Sequence, residues 1–261
     1  MRAVVLILVA ACGNTSDPPF EPGEVTLPPL DGGLDYQLGG AYRPPPGVTV
    51  VSRDRNAPIA AGLYNLCYVN GFQIQPDEEA FWMTDHPDLI LHGADGEPVI
   101  DVEWDEILID ISTPAKRTAV ATIVDDWIAG CASAGYAAIE IDNLDSFSRS
   151  TGLLAEDDAV ATMALFAASA QQHALAIAQK NSAELVPRRT ELLTDFVVAE
   201  ECNRFDECEV YLDAYGDHVL MVEYRPADFD TGCAAYPTSS IVLRDLDLST
   251  SDAAGYVFDG C

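Results

Sequence analysis

Acidic residues crowd the end of one apolar run near the middle of the chain. The segment from Tyr136 to Ser146 reads YAAIEIDNLDS, in which Glu140 interrupts the apolar stretch and Asp142 and Asp145 follow its end. An apolar run with β-branched residues is typical of a strand buried on both faces in a parallel sheet. Burying carboxylates beside such a strand costs free energy, so several acids at such positions indicate a functional site. We interpret the segment as a strand that delivers acids to an active site at its carboxyl end.

Other apolar runs of the chain end in ionisable or amide side chains in the same way. The residues at these ends are Asp54, Asn70, Asp110, Lys180 with Asn181, Glu200 with Glu201, Glu223 with Tyr224, and Asp245. Runs that serve only a structural sheet tend to end in turn formers such as Gly, Asn and Pro. The pattern therefore indicates an enzyme.

Two carboxyl groups on either side of one bond can hydrolyse a glycoside. One gives a proton to the leaving oxygen, and the other attacks the sugar or activates water. Asp142 and Glu200 end strands that are two apart in the predicted order, which suits such a pair. The sequence contains no HExxH, GxSxG, P-loop or GxGxxG motif, and its four histidines do not stand at strand ends. Glycoside hydrolysis is therefore the chemistry that these residues favour.

The elements that must position these residues are short strands and intervening helices. Nine runs are candidate strands: residues 35–38, 48–54, 63–70, 106–112, the central run, 174–181, 195–201, 219–224 and 240–245. Helical patterns alternate with the later runs. Thr113 and Pro114 open a helix that Gly130 can close, residues 156–173 form a second helix, and residues 182–193 form a weaker third.

Alternating strands and helices predict a parallel α/β fold. The chain has 261 residues, close to the roughly 250 that are typical of a (β/α)8 barrel. We therefore expect a single-domain (β/α)8 TIM barrel. A Pro-rich turn at residues 44–46 leaves no room for a helix between the first two strands, so we expect irregular N-terminal strands. Because a barrel needs eight strands and nine runs are present, the strand order at the seam stays open.

The charge balance is strongly acidic. Forty-three acidic residues face 13 basic ones, and the formal net charge is −30. This charge disfavours nucleic acid as a partner and favours cationic ligands, of which an amino-sugar polymer is one. The alternative is that most of the acids form a solvated face that keeps the protein soluble. Only two lysines occur, Lys116 and Lys180.

The first 12 residues, MRAVVLILVAAC, are typical of a secretory signal and too short to span a bilayer. Residues 9–12 are similar to the lipobox of bacterial lipoproteins, which predicts lipidation of Cys12; the alternative is ordinary secretory cleavage nearby. Residues 13–33 are rich in Pro and Gly and predict a linker, so the barrel is expected over residues 34–261. We expect an exported protein, lipid-anchored to a bacterial membrane or cell surface, or otherwise secreted.

Six cysteines remain after Cys12, an even number that predicts three disulfide bonds in an exported protein. Six cysteines allow 15 connectivities. We favour Cys202–Cys208 across a short loop, Cys233–Cys261 at the C-terminus, and Cys67–Cys131 by elimination. A zinc site is the alternative, but no pair has the C-x2-C spacing.

Seven short motifs resemble those of one enzyme family. They are YQLGG from Tyr36, CYVNG from Cys67, WDEILIDIS from Trp104, IEIDNLDS from Ile139, AIAQKN from Ala176, VVAEECNRFDEC from Val197 and VEY from Val222. In this order and spacing, the chain from about residue 35 to 245 resembles glycoside hydrolase family 114, the endo-α-1,4-polygalactosaminidases and their relatives. The resemblance implies a (β/α)8 barrel that hydrolyses α-1,4-linked galactosamine polymers. The N-terminal part is divergent, so the substrate can differ.

The same resemblance implies that Asp142 and Glu200 are the two catalytic carboxylates. By analogy with retaining barrel glycosidases, we favour Asp142 as nucleophile and Glu200 as general acid/base, with the reverse assignment left open. Glu201 is the rival of Glu200. Since successive residues of a strand point to opposite sides, only one of these two is expected to face the cavity.

Further residues are assigned to substrate binding. Asp54, Asp110, Asp145 and Glu223 are expected to accept hydrogen bonds from sugar hydroxyls or to pair with a substrate ammonium. Tyr68 and Tyr224 are expected to stack on a sugar or to pack in the barrel. Lys180 is expected to hold a catalytic carboxylate in its ionised form.

The leading hypothesis is a monomeric, retaining endo-glycosidase without metal or organic cofactor. It acts on a cationic or partly N-acetylated galactosamine-containing polysaccharide, and its only contact with a membrane is the lipid at Cys12. Two alternatives stay open. One is a surface protein that binds such a polymer without cleaving it, and the other is a metal-dependent hydrolase that uses the carboxylate cluster.

Overall fold

A computed structural model describes residues 25–261 of the chain. The strands are β1 (Gly33–Tyr36), β2 (Val48–Asp54), β3 (Tyr64–Asn70), β4 (Gln73–Ile74), β5 (Ile100–Asp101), β6 (Glu106–Leu108), β7 (Ala138–Asp142), β8 (Ala176–Lys180), β9 (Phe196–Glu200), β10 (Val219–Glu223), β11 (Ser240–Arg244) and β12 (Phe258–Gly260). The main sheet runs in the order β1-β2-β3-β7-β8-β9-β10-β11-β12. Its first eight strands pair in parallel, and β12 pairs antiparallel with β11. The predicted (β/α)8 barrel is confirmed.

Helices cover the later strands of the barrel. They are α1 (Glu79–Asp85), α2 (Pro114–Ala134), α3 (Ser146–Arg149), α4 (Glu156–Gln172), α5 (Arg189–Leu192), α6 (Cys202–Phe205), α7 (Cys208–Tyr215) and α8 (Pro226–Ala235), with 3-10 turns at Pro87–Leu89 and Ala183–Arg188. No helix lies between β1 and β2 or between β2 and β3 in the described chain, which agrees with the irregular N-terminal part expected from the sequence.

The longest helix, α2, begins as the sequence predicts and ends later. Thr113 caps its first turn, because its side-chain oxygen accepts a hydrogen bond from the Lys116 backbone N–H at 3.3 Å. The predicted end at Gly130 is wrong. The helix continues through that residue and ends at Gly135, whose φ of 93° is the left-handed conformation that glycine adopts at helix ends.

The run 106–112 is not a barrel strand, contrary to the sequence-based prediction. Its first part forms β6, which pairs antiparallel with β4 and β5 in a separate three-stranded sheet between β3 and α2. The rest of the run is apolar because Leu108, Ile109 and Ile111 are buried in the core beside α2. A short apolar run has the same sequence pattern in a barrel strand and in a segment buried beside a helix, so the sequence does not distinguish the two. Removing it leaves eight parallel strands, with β11 as the eighth.

The barrel closes between β1 and β11 through side chains. These two strands share no ladder pairing in the part of the chain that the structure describes. Instead, the fully buried Arg244 of β11 binds the carboxylate of Asp35 at 3.0 Å and the backbone oxygen of Tyr36, both in β1. Its remaining donors bind the backbone oxygens of Val257 at 2.9 Å and Ser249 at 2.8 Å. The guanidinium therefore joins the two ends of the sheet.

Side chains that alternate along the barrel strands fall into two sets. One set fills the barrel interior and includes the small residues Ala138 and Ala178 together with Val198 and Val222. The other set packs outward against the helices, and Met221 is an example. This alternation decides which strand-end side chains can reach the mouth of the barrel.

Three disulfide bonds link distant or neighbouring elements of the fold. Cys67–Cys131 links β3 to α2, Cys202–Cys208 links the starts of α6 and α7, and Cys233–Cys261 links α8 to the last residue. These are the pairs expected from the sequence. A cluster of Cys202, Cys208 and Glu223 also has the spacing of metal ligands, but cysteines joined in a disulfide offer no thiolate, so it does not support the zinc alternative.

The first described residues lie against the amino ends of the barrel strands. Val25 and Leu27 pack on the interior cluster, and the Tyr64 hydroxyl, at the start of β3, donates to the backbone oxygen of Thr26 at 2.6 Å. The predicted signal, Cys12 and most of the predicted linker lie outside the described residues. No helix between residues 25 and 261 is long and apolar enough to cross a membrane.

We predict that removing Arg244 from the seam ion pair strongly destabilises the fold. Arg244→Met leaves the Asp35 carboxylate buried without its cation, and the expected loss in the free energy of unfolding is about 3–5 kcal/mol. The double variant Asp35→Asn/Arg244→Met removes both charges and should lose less. Denaturant unfolding measures both. Arg188→Met, which removes a surface ion-pair cluster, is the control and should change stability much less; equal losses for both arginines would contradict the prediction.

Candidate active site

One buried ammonium group lies at the centre of the carboxyl ends of β7, β8 and β9. Lys180 is the last residue of β8, and its side chain is 2% exposed. Its Nζ lies 3.2 Å from a Glu140 oxygen, 3.4 Å from Asp142 Oδ1 and 3.1 Å from Glu200 Oε2. It also donates to the Tyr36 hydroxyl at 2.8 Å. Burial alone would lower the pKa of Lys180, but the three carboxylates raise it well above its ordinary value, so the group is an ammonium.

Asp142 ends β7, and its side chain is 21% exposed. Its Oδ2 accepts a hydrogen bond from the Tyr68 hydroxyl at 2.7 Å, and its Oδ1 accepts one from the Asn143 backbone N–H at 2.8 Å. Burial would raise the pKa of Asp142, but the Lys180 ammonium and these donors lower it below its ordinary value. Asp142 is therefore an anion at neutral pH that still reaches solvent.

Glu200 ends β9 and is held in place by three side chains. The Tyr224 hydroxyl donates to Oε1, and Asn181 Nδ2 donates to Oε2 at 3.3 Å. The Asn181 Oδ1 in turn accepts a hydrogen bond from the Glu200 backbone N–H at 2.7 Å. Because Lys180 also contacts Oε2, the carboxyl group of Glu200 has a fixed position beside that of Asp142.

The Asp142 and Glu200 carboxyl groups are close to each other because they share one nitrogen. The Asp142 oxygen lies 3.4 Å and the Glu200 oxygen 3.1 Å from Lys180 Nζ. The two oxygens therefore cannot be further apart than the sum of these distances, about 6.5 Å. The order β7-β8-β9 explains the arrangement, since the strand between the two acids carries the cation.

Glu140 is a third carboxyl group that sequence reasoning did not assign to the site. It is fully buried one layer below Asp142, and it accepts hydrogen bonds from the Tyr36 hydroxyl and from the Ser52 hydroxyl at 2.7 Å. Burial raises the pKa of Glu140, and Lys180 and the two hydroxyls offset part of this effect. The available signal was the position of Glu140 within an otherwise apolar run. Tyr36 offered no such signal, because its contact is 104 residues away in sequence.

A cavity of about 550 Å³ opens above this cluster. Asp142, Lys180 and Glu200 line its floor together with Tyr68 and Tyr224. Both tyrosines donate to a carboxylate of the floor. Since each presents its hydroxyl to an acid, the contacts show positioning of Asp142 and Glu200. Sugar stacking by either ring stays a prediction.

Several predicted residues do not line this cavity. Asp54 accepts a hydrogen bond from the Asn56 backbone N–H in the turn after β2. Asp110 binds Lys116 and Ser112 beyond β6, because its run is not a barrel strand. Glu223 shares the outward side of β10 with Met221. Its carboxylate accepts hydrogen bonds from the backbone N–H and the side-chain Nδ2 of Asn203.

Two other predicted positions line the cavity but are already paired. The Asp145 carboxylate binds the Arg149 guanidinium at 2.6 Å, four residues further along the chain. Glu201 binds Arg204 at 2.6 Å. The expectation that only one of Glu200 and Glu201 faces the cavity is wrong, because Glu201 has left β9 and adopts a left-handed φ of 54°. Of the two, Glu200 contacts Lys180.

The small antiparallel sheet also contributes to the cavity. The turn between β5 and β6 and the first residue of β6 bring Glu103, Trp104 and Glu106 to the wall. Glu106 was missed because the run that it opens was assigned to the barrel. Its Oε2 accepts a hydrogen bond from Asn70 Nδ2 at 2.8 Å, so a residue outside the barrel reaches its carboxyl end.

We predict that Lys180 is what holds Asp142 ionised. In Lys180→Met, Asp142 keeps its partly buried position but loses its main cationic neighbour, so its pKa should rise above that of the wild type. Carbon NMR titration of the side-chain carboxyl groups measures this, with the Asp142 signal assigned from Asp142→Asn. Lys116→Met, at the other lysine of the chain, should leave the Asp142 titration unchanged. Identical Asp142 titration in Lys180→Met and wild type would refute the assignment.

The sequence and fold match those of known proteins. The sequence model of glycoside-hydrolase family GH114 matches residues 15–261, and no curated protein sequence matches the chain. Ega3 from Aspergillus fumigatus, crystallised with galactosamine, is similar in structure with a TM-score of 0.69 and 19% identity, over 92% of this chain and 100% of Ega3. The glycoside hydrolase domain of PelA from Pseudomonas aeruginosa follows with a TM-score of 0.57 and 16% identity, over 86% of this chain and 97% of that domain.

At these identities the two structures support the fold, while the family assignment rests on the match over nearly the whole sequence. That match agrees with a barrel whose carboxyl end holds two carboxylates around one ammonium. The chain belongs to glycoside-hydrolase family GH114 and is a glycoside hydrolase.

Proposed function

We propose that the protein is a retaining endo-glycosidase that cleaves α-1,4-linked galactosamine-type polysaccharide. The observation that carries the proposal is the pair of carboxyl groups, Asp142 and Glu200, held on one ammonium at the floor of an open cavity. Family membership supports the reaction class. Ega3, which is similar in fold, was crystallised with galactosamine, and this supports the substrate class.

The distance between the two carboxyl groups supports the retaining outcome. Retaining glycosidases hold their carboxyl groups about 5–5.5 Å apart, whereas inverting ones need about 6.5–9.5 Å to admit a water molecule. The nearest Asp142 and Glu200 oxygens are separated by at most about 6.5 Å. This bound lies at the lower end of the inverting range, which favours direct attack by one carboxylate.

We assign Asp142 as the nucleophile and Glu200 as the acid and base. The lowered pKa of Asp142 keeps its carboxylate ionised, as attack on the anomeric carbon requires. Glu200 gives its proton to the leaving oxygen while Asp142 forms an ester with the sugar. Glu200 then takes a proton from water, the hydroxide attacks the anomeric carbon, and Asp142 leaves as a carboxylate.

Lys180 suits this sequence because it contacts both acids. Before the first step, the negative charge is on Asp142. After that step Asp142 is a neutral ester and Glu200 carries the charge. Since Nζ lies within 3.4 Å of an oxygen of each, the ammonium neutralises whichever of the two is ionised, with little movement.

The charge of the cavity supports a cationic substrate. Four carboxyl groups from three segments line its wall: Glu103 and Glu106 in or beside β6, Glu184 after β8, and Glu207 after β9. Together with a formal net charge of −30, they produce a negative potential that attracts a polymer of de-N-acetylated amino sugars.

We predict that both carboxyl groups are required for turnover. Asp142→Asn removes the nucleophile, and Glu200→Gln removes the proton donor. Each should therefore lower turnover by about 10²–10⁴-fold without unfolding the protein. The measurement is the rate of chain shortening of partly de-N-acetylated α-1,4-linked galactosamine polymer in chelator, with product lengths read by mass spectrometry.

Glu201→Gln is the matched control, because it changes the acid next to Glu200 in the sequence, just after the end of β9. It should retain more than a tenth of the wild-type rate, and a loss as large as that of Glu200→Gln would reassign the acid. Short oligomers with an α anomeric centre in the first product support the retaining endo mode. A polymer that binds to the wild type and stays intact would instead indicate a binding protein, and recovery of activity only after metal is added would indicate a metal-dependent hydrolase.

We further propose that the protein is exported and anchored by a lipid on Cys12, on the basis of the hydrophobic stretch and the lipobox-like residues 9–12. In a bacterial host the wild type should then fractionate with the membrane. Cys12→Ser, which removes the lipidated thiol, should release it. Equal membrane fractions for the two forms on immunoblots would exclude the anchor.

A further inference from the structure

The hairpin of β5 and β6 is fixed over the cavity at both of its ends. Asp101 of β5 pairs with the Arg149 guanidinium and accepts a hydrogen bond from Gln73 Nε2 at 3.0 Å. Glu106 of β6 accepts one from Asn70, the last residue of β3, at 2.8 Å. Residues 101–106 therefore hold a defined position beside the barrel mouth.

Glu106 is a carboxyl group without a cation. Both of its recorded partners are amides, Asn70 Nδ2 at 2.8 Å and Asn143 Nδ2 at 3.4 Å, and both approach Oε2. Within residues 25–261 Glu106 makes no salt bridge, and its Oε1 accepts no hydrogen bond, although the residue lines the cavity. Asp142, Asp145, Glu200 and Glu201 of the same cavity are each paired with Lys or Arg.

The surroundings of Glu106 disfavour its charge. Burial raises the pKa of Glu106 to about 7, and the nearby carboxylates Asp142, Asp101 and Glu78 add to this, while the Asn70 hydrogen bond partly offsets it. Arg149 is the cation on this side of the cavity, and it is engaged by Asp101 and Asp145. A bound cation would relieve the repulsion that Glu106 experiences.

Trp104 stands two residues before Glu106 and lines the same cavity. Its side chain is 58% exposed, which is unusual for so large an apolar surface. Indole rings commonly pack against ligands that are apolar on one face and polar at the edge, and a sugar ring has this character. The hairpin thus offers an aromatic surface and an unpaired carboxyl group side by side.

We propose that this hairpin recognises the nitrogen substituent of the substrate: Glu106 binds the ammonium group of one amino sugar, and Trp104 stacks on a sugar ring of the same polymer. The inference rests on the proposed function. An ammonium supplies both the positive charge and the donors that Glu106 lacks. An acetamido group supplies no charge and one N–H, so Glu106 selects de-N-acetylated sugars over N-acetylated ones.

The test compares Glu106→Gln with wild type on two forms of one substrate, α-1,4-linked galactosamine oligomers that are either fully de-N-acetylated or fully N-acetylated. The variant keeps the side-chain shape and removes the charge. For the free-amine oligomer its kcat/KM should fall roughly 10- to 100-fold, the range expected for a hydrogen bond to a charged group. For the N-acetylated oligomer it should stay within about twofold of the wild type.

Two further variants separate recognition of charge from general effects. Asp105→Asn removes a neighbouring charge on the same turn, at a position whose left-handed φ of 58° asparagine tolerates, and it should change neither rate. Trp104→Ala should raise KM for both forms to a similar extent.

In wild type, KM for the free-amine oligomer should increase as the pH falls below about 7 and Glu106 becomes neutral, whereas in Glu106→Gln this step should be absent.

The outcomes distinguish the inference from the function on which it rests. Equal losses on both oligomers in Glu106→Gln would mean that Glu106 only positions Asn70 and Asn143, and the inference would be overturned. If wild type cleaves neither oligomer, the proposed function fails. Isothermal titration calorimetry of the same oligomers then decides the inference separately: weaker binding of the free-amine form alone by Glu106→Gln supports it, and unchanged binding overturns it.

Discussion

The site depends on burying one ammonium, that of Lys180, at the mouth of the barrel. An isolated ion there would be prohibitively unstable, so the surrounding strands must supply compensating groups. Glu140 from β7, Glu200 from β9 and the Tyr36 hydroxyl from β1 all do so. The same compensation gives the two acids of the proposed reaction their positions. The contacts that neutralise the Lys180 ammonium are therefore the same contacts that fix the positions of the two acids.

The barrel and its attached segments have separate roles in this arrangement. The strand ends provide a rigid floor of charged groups, whose side chains are fixed by their neighbours in the sheet. The wall above this floor includes elements outside the barrel, above all the β5–β6 hairpin. We expect a substitution in the wall to alter polymer binding and one in the floor to alter the chemistry. Asp35 of β1 has a further role, because its contact with Arg244 closes the barrel.

Local patterns predicted the floor better than the wall. The proximity of Asp142, Lys180 and Glu200 was predictable because each ends an apolar run, and strand ends meet at one face of a barrel. The same rule failed for Glu223, since ending a strand does not determine the side to which a residue points, and Glu223 follows Met221 outward. Asp110 failed because its run packs beside α2 and lies outside the barrel. The contacts of Glu106, Glu140 and Tyr36 join distant segments. The position of Glu140 within an apolar run marks it as unusual, but local spacing does not reveal the partners of any of the three.

The packing of Val25 and Leu27 on the barrel has a consequence for orientation. These residues lie at the amino ends of the strands, where Tyr64 holds the backbone of Thr26, whereas the cavity is built from the carboxyl ends. The polypeptide therefore enters the folded domain on the side opposite its opening. If the preceding segment were fastened to a surface, the cavity would face outward, and a long polymer could lie across it without meeting the surface behind.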